Sequence, residues 1–255
     1  MRRLVPRILD EVSTASPKPG VVAYNNVVAA LSRSHQWAEA LYALDMVQDT
    51  AKVSPGSQRT SSWTGHPQVA EPDLATYTSV ITACSKALQW RRALSLFQEM
   101  NLRRLEPNGY AFTAAVGVFS RGRLWERALQ TVRAMMQQQV QPNLLTWNSA
   151  ISACSKCQRW QQALEVLERI REAQLKPNLF ALTSALSACA LGRQWRRAFS
   201  LWQAVRQQRL RPDVAAYTAL GAACEKGGRW EQAVGLWADM QRGAVLPNLL
   251  TCNAT

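Results

Sequence analysis

The chain has 255 residues, 47% hydrophobic and 18% charged, enough apolar side chain for a large buried core, and no apolar run long enough to span a bilayer, so a membrane span is not expected. Its formal net charge of +13 points to a polyanionic partner, nucleic acid before membrane. In a chain with two histidines, no Ser-His-Asp set and no phosphate-cradling glycine loop, composition gives no support to common hydrolase or nucleotide-binding chemistry.

Met1–Gly20 reads as the tail of a partial repeat: Leu4, Ile8 and Val12 fit the last apolar positions of a helix, and Pro19-Gly20 its close. Three arginines before any acid also resemble a targeting segment. Residues 21–73 form a first repeat with Trp37 and Ala40. From about Gln48 to Ala70 the composition turns to Ser, Thr, Gln, Pro and Gly, and Pro72-Asp73 falls 18 residues later than the period requires. This insertion, with Trp63 and His66, is predicted as a flexible loop.

Five repeats of 35 residues follow without a gap: 74–108, 109–143, 144–178, 179–213 and 214–248. They are marked by Trp90, Trp125, Trp160, Trp195 and Trp230, each with an alanine three residues on, and each closes with Pro-Asn or Pro-Asp. Residues 249–255 open a truncated seventh repeat. A polar capping helix is missing at that end, so the chain reads as a fragment. A fixed period of this length marks a repeat array.

Within one unit, Trp147, Ala150, Ile151 and Cys154 make one apolar stripe at helical spacing, and Trp160, Ala163, Leu164, Leu167 and Ile170 make a second. Gln158-Arg159 is the turn between them. Pro177 lacks an amide proton and ends the second helix, and Asn178 and Thr146 suit the start of the next. One hairpin cannot bury both stripes, but stacked copies can. The predicted fold is therefore all-α, an α-solenoid of stacked 35-residue helix-turn-helix repeats. The tryptophans fall on the core stripe and are expected to pack between helices. Cys84, Cys154, Cys189 and Cys224 share one buried slot and act as small apolar residues in a reducing compartment. The pair Cys154 and Cys157 stands alone, inside a helix, and is no metal or redox site.

Across the repeats the fifth residue is only Asn or Thr: Asn25, Thr78, Thr113, Asn148, Thr183 and Thr218. The last is only Asn or Asp: Asp73, Asn108, Asn143, Asn178, Asp213 and Asn248. One turn past the fifth the slot is small, and the next turn brings Ser32, Ser85, Ser120, Ser155, Ala190 or Glu225. Beside these stand Arg33, Lys86, Arg121, Lys156 and Lys226, with Leu191 in the fifth repeat. Helix capping explains the last residue and much of the fifth, but gives no reason for aligned cations. A row of hydrogen-bonding pairs flanked by positive charge suits a single strand of nucleic acid, one nucleotide per repeat. The cations are the expected phosphate contacts.

The frame of Tyr-Asn near the start, Trp and Ala-Leu midway and Pro-Asp or Pro-Asn at the end resembles the pentatricopeptide repeat family, in its plain 35-residue (P-type) form. The tetratricopeptide repeat, with a shorter period and a W-x2-L-G-x2-Y frame, fits less well. The resemblance implies organellar RNA binding, in chloroplast or mitochondrion, with the fifth and last residues of each repeat selecting the base. It also implies that the second residues, Val22, Ala75, Tyr110, Leu145, Phe180 and Ala215, pack on base faces; the alanines offer little surface for this. Ionised Asp only accepts hydrogen bonds and suits uracil or guanine, whereas Asn also donates and suits adenine or cytosine. With the family's association of Thr with purines and Asn with pyrimidines, the implied site is 5′-UAACGA-3′. A following Asn253 would add a pyrimidine.

Some family members carry a zinc deaminase or an endonuclease domain. Neither His35 nor His66 begins an H-x-E motif, so no enzyme, cofactor or metal is expected in this chain. The implied partners are single-stranded RNA and other RNA-processing proteins. The competing readings are a scaffold gripping a peptide in the concave groove, and the RNA-guiding part of a processing enzyme.

Overall fold

The computed structural model describes residues 21–34, 36–52 and 72–243. Among these residues there are twelve helices and no strand. They alternate as first and second helices of each repeat: α1 (Val21–Arg33), α2 (Trp37–Lys52), α3 (Leu74–Lys86), α4 (Trp90–Leu102), α5 (Gly109–Arg121), α6 (Trp125–Gln137), α7 (Leu144–Lys156), α8 (Trp160–Glu172), α9 (Leu179–Leu191), α10 (Trp195–Gln207), α11 (Val214–Lys226) and α12 (Trp230–Arg242). The fold is an all-α solenoid. The chain divides into two compact units, residues 1–118 and 119–255. In each, a first helix packs on the first helix of the neighbouring repeat, as α1 on α3, or α7 on α9 and α9 on α11. A second helix packs on its own first helix and on that of the next repeat. This places the core along the first helices.

In the first unit Tyr77, Val80, Ile81 and Cys84 are wholly buried, and Phe97 meets Phe112 edge-on with centroids 6.3 Å apart. In the second unit Trp147, Ala150, Ile151 and Cys154 fill the same stripe, joined by Ala163, Leu167 and Ile170. Burying one of these large aliphatic side chains stabilises by about 1.5–3 kcal/mol. The second-helix stripe departs from expectation at one place. Val166 is buried, and Leu164 only partly, because the stripe must face two first helices instead of one.

First helices start and stop by different devices. Asp73, Asn108, Asn143, Asn178 and Asp213 cap α3, α5, α7, α9 and α11, each accepting at Oδ1 from the backbone N–H three residues on, at 2.8–2.9 Å. Thr146, expected to help start α7, instead donates its hydroxyl to Asn143 Oδ1 at 2.9 Å. No side-chain hydrogen bond caps α4, α6, α8, α10 or α12. Most helix ends turn through a residue in the left-handed region, including Leu88, Arg123, Gln158, Arg193 and Gly228 between the two helices of a hairpin. The backbone N–H after each then reaches back to the helix, as Gln194 N to Cys189 O at 2.9 Å.

The tryptophans differ from expectation. Trp37, Trp90, Trp125, Trp160 and Trp195 each start a second helix but are only half-buried, and Trp230, which starts α12, is 70% exposed. Trp37, Trp125, Trp160 and Trp195 lie against the next repeat instead of inside their own hairpin. A Cβ on Gly227 would stand 2.8 Å from Trp195 Cδ1, and one on Gly192 would collide with Trp160. An arginine of the next repeat covers the outer ring face: Arg92 over Trp37 at 4.8 Å, Arg159 over Trp125 at 5.1 Å, Arg197 over Trp160 at 4.5 Å and Arg229 over Trp195 at 4.3 Å.

The insertion also begins later than expected, since α2 continues to Lys52. The rest of it, with Trp63 and His66, lies outside the described residues, as do His35, the partial repeat or targeting segment 1–20, Asn248 and the opening of a seventh repeat.

Candidate nucleic-acid interface

The last residue of a repeat caps the next first helix, which sets it beside the first helix of its own repeat. In the first pair the contact is direct: Asn25 Nδ2 donates to Asp73 Oδ2 at 2.9 Å. The Thr76 hydroxyl sits 2.8 Å from Asp73 Oδ1 and in contact with Asn25 Oδ1. Burial pushes the Asp73 carboxyl up, but the hydrogen bonds from Thr76 and Asn25 outweigh it and hold the group below its ordinary value. Asp73 is thus ionised at neutral pH, with both oxygens engaged.

Capping and presentation turn out to be compatible in one side chain. Using Oδ1 as the cap leaves Nδ2, a donor, on Asn108, Asn143 and Asn178, and Oδ2, an acceptor, on Asp213. The cap also fixes the orientation of the amide, because only its oxygen can accept from the helix N–H. Capping and an outward hydrogen-bonding atom therefore do not compete for these side chains.

The fifth residues fall into two groups. Thr78, Thr113 and Thr218 return their hydroxyls to the carbonyl four residues back, at 2.7 Å. Asn148 Oδ1 and Thr183 Oγ1 are buried with no hydrogen-bond partner, a costly state that polar groups in folded proteins rarely keep. Nearby, second residues project outward: Tyr110 is 79% exposed in the first unit, Leu145 63% and Phe180 53% in the second. Ala75 and Ala215 are also exposed. Val22 lies on α1, with its side chain outside the described part.

Between α9 and α11 a cleft of about 540 Å³ is lined by Ser187, Leu191, Ala215, Thr218, Ala222 and Lys226. It is apolar because Leu191 replaces the cation there and Ala215 is small. Arg33, Lys86, Arg121, Lys156 and Lys226 are exposed at the ends of their helices. Lys156 Nζ donates to Ser120 O at 3.4 Å. Its ammonium is held below its usual value by burial, then by the positive charge of Arg121 and Arg123. The short polar slot before these cations is misplaced in the sequence reading: Ser32, Ser85, Ser120, Ser155 and Ala190 are buried, one position off the open face, and only Glu225 is exposed.

The PPR repeat family model matches residues 72–121, and the pentatricopeptide repeat domain model matches residues 132–193 and 165–229, together more than half of the chain. The chain belongs to the pentatricopeptide repeat family. A chloroplastic pentatricopeptide repeat-containing protein of Arabidopsis thaliana is 28% identical over 91 residues, covering 36% of this chain and 11% of the relative. A second from the same plant, also chloroplastic, is 27% identical over 93 residues, 36% of this chain and 9% of its own.

Among solved structures, the maize pentatricopeptide repeat protein PPR10 matches 98% of this chain and 34% of its own, with a TM-score of 0.60 at 21% identity. PPR10 in complex with an 18-nucleotide psaJ RNA element matches all of this chain and 34% of its own, with a TM-score of 0.75 at 18% identity. The repeat domain of Arabidopsis protein-only RNase P 1, in complex with tRNA, matches 68% of this chain and 91% of its own, with a TM-score of 0.60 at 15% identity. The pentatricopeptide chain here spans about a tenth of the curated relatives and a third of PPR10. Among the described residues no group of His, Cys, Asp and Glu could hold a metal ion, and no helix is long and apolar enough to cross a membrane.

Proposed function

We propose that this pentatricopeptide protein binds single-stranded RNA selectively, one nucleotide per repeat, and acts by occupancy in organellar RNA processing, stability, editing or translation. The observation that carries this reading is the divided use of the last residue, one polar atom capping a helix and the other presented. A donor at Asn108 and Asn178 and an acceptor at Asp213 suit different base edges. The fifth residue supplies the second group of each pair: Thr78 with Asn108 in the first unit, and Asn148 with Asn178 and Thr183 with Asp213 in the second. The unpartnered Asn148 Oδ1 and Thr183 Oγ1 are the groups with most to gain from a base.

Tyr110, Leu145 and Phe180 offer apolar faces to the bases, and the exposed cations meet the phosphates. Selectivity is weakest at the first repeat, where Asn25 and Asp73 satisfy one another. PPR10 and the RNase P repeat domain, both solved with RNA, support RNA as the ligand, and the chloroplastic relatives support an organelle. The protein itself supplies no catalytic group in this reading.

The test is a gel shift with RNA containing 5′-UAACGA-3′, RNA homopolymers and a peptide array. Selective retention of the site RNA is expected, with a slope of log K against log salt of about −3.5 if five cations each neutralise a phosphate at ~0.7 per contact. A slope near zero, or capture of peptides in preference to RNA, would reject it.

A further inference from the structure

Beyond Arg121, Lys156 and Lys226, the phosphate contacts proposed for the groove, further cations stand at the hairpin ends of the second unit. Arg123, Arg159, Arg193, Arg196, Arg197 and Arg229 all sit where a first helix ends and a second begins, and all are exposed. The acids on that edge are Glu126, Glu225 and Glu231. At the other end of the hairpins more of the charge is paired: Arg169 with Glu165 at 2.8 Å, Arg171 with Glu168 at 2.9 Å, and Arg206 and Arg242 with Asp239, beside the exposed Lys176, Arg209 and Arg211. Like charges crowd the arginine edge enough to lower the Lys156 ammonium from its usual value through Arg121 and Arg123, after burial. The helices that begin there lack a side-chain cap, so the positive ends of their dipoles add to the same field.

Three of these arginines are held in place. Arg159, Arg197 and Arg229 hold their guanidinium carbons 4.3–5.1 Å from the ring centroids of Trp125, Trp160 and Trp195 of the preceding repeat, and Arg196 approaches the Trp195 ring at 5.3 Å. A stacked guanidinium keeps its N–H edge for other partners and has less rotamer freedom to lose on binding. The result is a line of pre-positioned forks, repeated with the helices, along one edge of the unit.

We infer that this edge is a second binding surface, for the phosphodiester backbone of RNA flanking the segment read in the groove. This rests on the RNA-binding reading above and extends it to sequence-independent contacts. Guanidinium forks match phosphate oxygens geometrically. A bilayer would need a row of apolar side chains free to insert; Trp125, Trp160 and Trp195 are half-buried under arginines, which leaves Leu191 and Trp230 as the large apolar side chains exposed on this edge among the described residues. The flank can reach the edge as a single strand or as a duplex, since both offer the same phosphates.

The test substitutes Arg123→Gln and Arg193→Gln together. Both are exposed turn residues in the left-handed conformation, which Gln158 already holds in the same position of another repeat, so charge changes without disturbing the core. Binding is measured for the full chain with the hexamer 5′-UAACGA-3′ alone, with about a dozen flanking nucleotides as a single strand or as a hairpin, and with anionic vesicles of phosphatidylserine and phosphatidylcholine. The parent should bind a flanked RNA roughly tenfold tighter than the hexamer at low salt. The variant should lose most of that gain, reduce the salt slope by about 1.4 for two lost contacts, and keep its hexamer affinity and melting temperature.

An equal flank gain in both proteins would overturn the inference, as would an equal loss on every RNA. Vesicle binding that needs the two arginines, without any flank gain, would make the edge a lipid surface instead. If neither protein binds the hexamer yet the flank still binds through these arginines, the edge stands and the base-reading proposal falls.

Discussion

Four buried thiols make this fold sensitive to alkali. Cys84, Cys154, Cys189 and Cys224 are wholly buried along the first helices. Burial pushes Cys154 up to about 12 and the other three to about 11, against about 8.5 for a free thiol. Between those values the folded chain keeps protons that the unfolded chain has released, so stability falls as pH rises through the gap. At pH 10 each thiol then favours the unfolded chain by about 2 kcal/mol. Four together reach about 8 kcal/mol, as large as the whole stability of many domains. Urea denaturation followed by circular dichroism at pH 7.5, 9 and 10 should show a steep loss in the parent. Cys189→Ala should flatten that loss by about 2 kcal/mol at pH 10, and a variant with all four alanines should remove most of it. Parallel pH profiles for parent and variants would refute the reasoning.

Trp160→Ala should cost about 2–3 kcal/mol, less than the 3–5 of a fully buried tryptophan, because the ring is half-exposed and part of its value is the Arg197 stack; thermal melting checks this, and a variant that melts like the parent would contradict the packing. Trp147 Nε1 is buried without a partner and borders a small void with Arg133, Glu165 and Arg169. The same slot two repeats earlier holds Tyr77, whose hydroxyl donates to Glu99 at 2.9 Å. Arg169→Gln should give Trp147 an acceptor at the cost of an exposed ion pair with Glu165, a net gain of about 1 kcal/mol read as a raised urea midpoint; a lower midpoint would show that the ion pair matters more.

The period was legible because each repeat must solve the same packing problem with the same residues. Trp and Ala at fixed spacing announced each second helix, and proline before Asn or Asp announced each break. What the sequence could not convey was depth. A stripe pattern assigns a face, but the serines at 32, 85, 120 and 155 lie one position from the open face and are buried by the neighbouring first helix. The tryptophans read as core because they share a stripe with buried alanines, yet a ring at the first turn of a helix extends past its own hairpin to the next repeat. The arginine that covers it comes from either of two positions, Arg92 and Arg197 after the Trp or Arg159 and Arg229 before it, so no single column of the repeat reveals it. For the candidate site, the fifth and last residues stood out by composition. The division of each last side chain between cap and free atom needed coordinates.

The most direct test of the central claim is at Asp213. Its Oδ1 accepts from Ala216 N at 2.8 Å, as Asn178 does from Ala181 N at 2.9 Å, so Asp213→Asn keeps the cap and should leave stability within about 0.5 kcal/mol. It exchanges the free acceptor for a donor. Affinity is measured for parent and variant against the site RNA with G or A at the fifth nucleotide. The parent should prefer G and the variant A, by several-fold or more, given about 1–3 kcal/mol for a good base contact. If the folded variant weakens both RNAs equally, or changes neither, Asp213 is a helix cap alone and base selection by these residues is wrong.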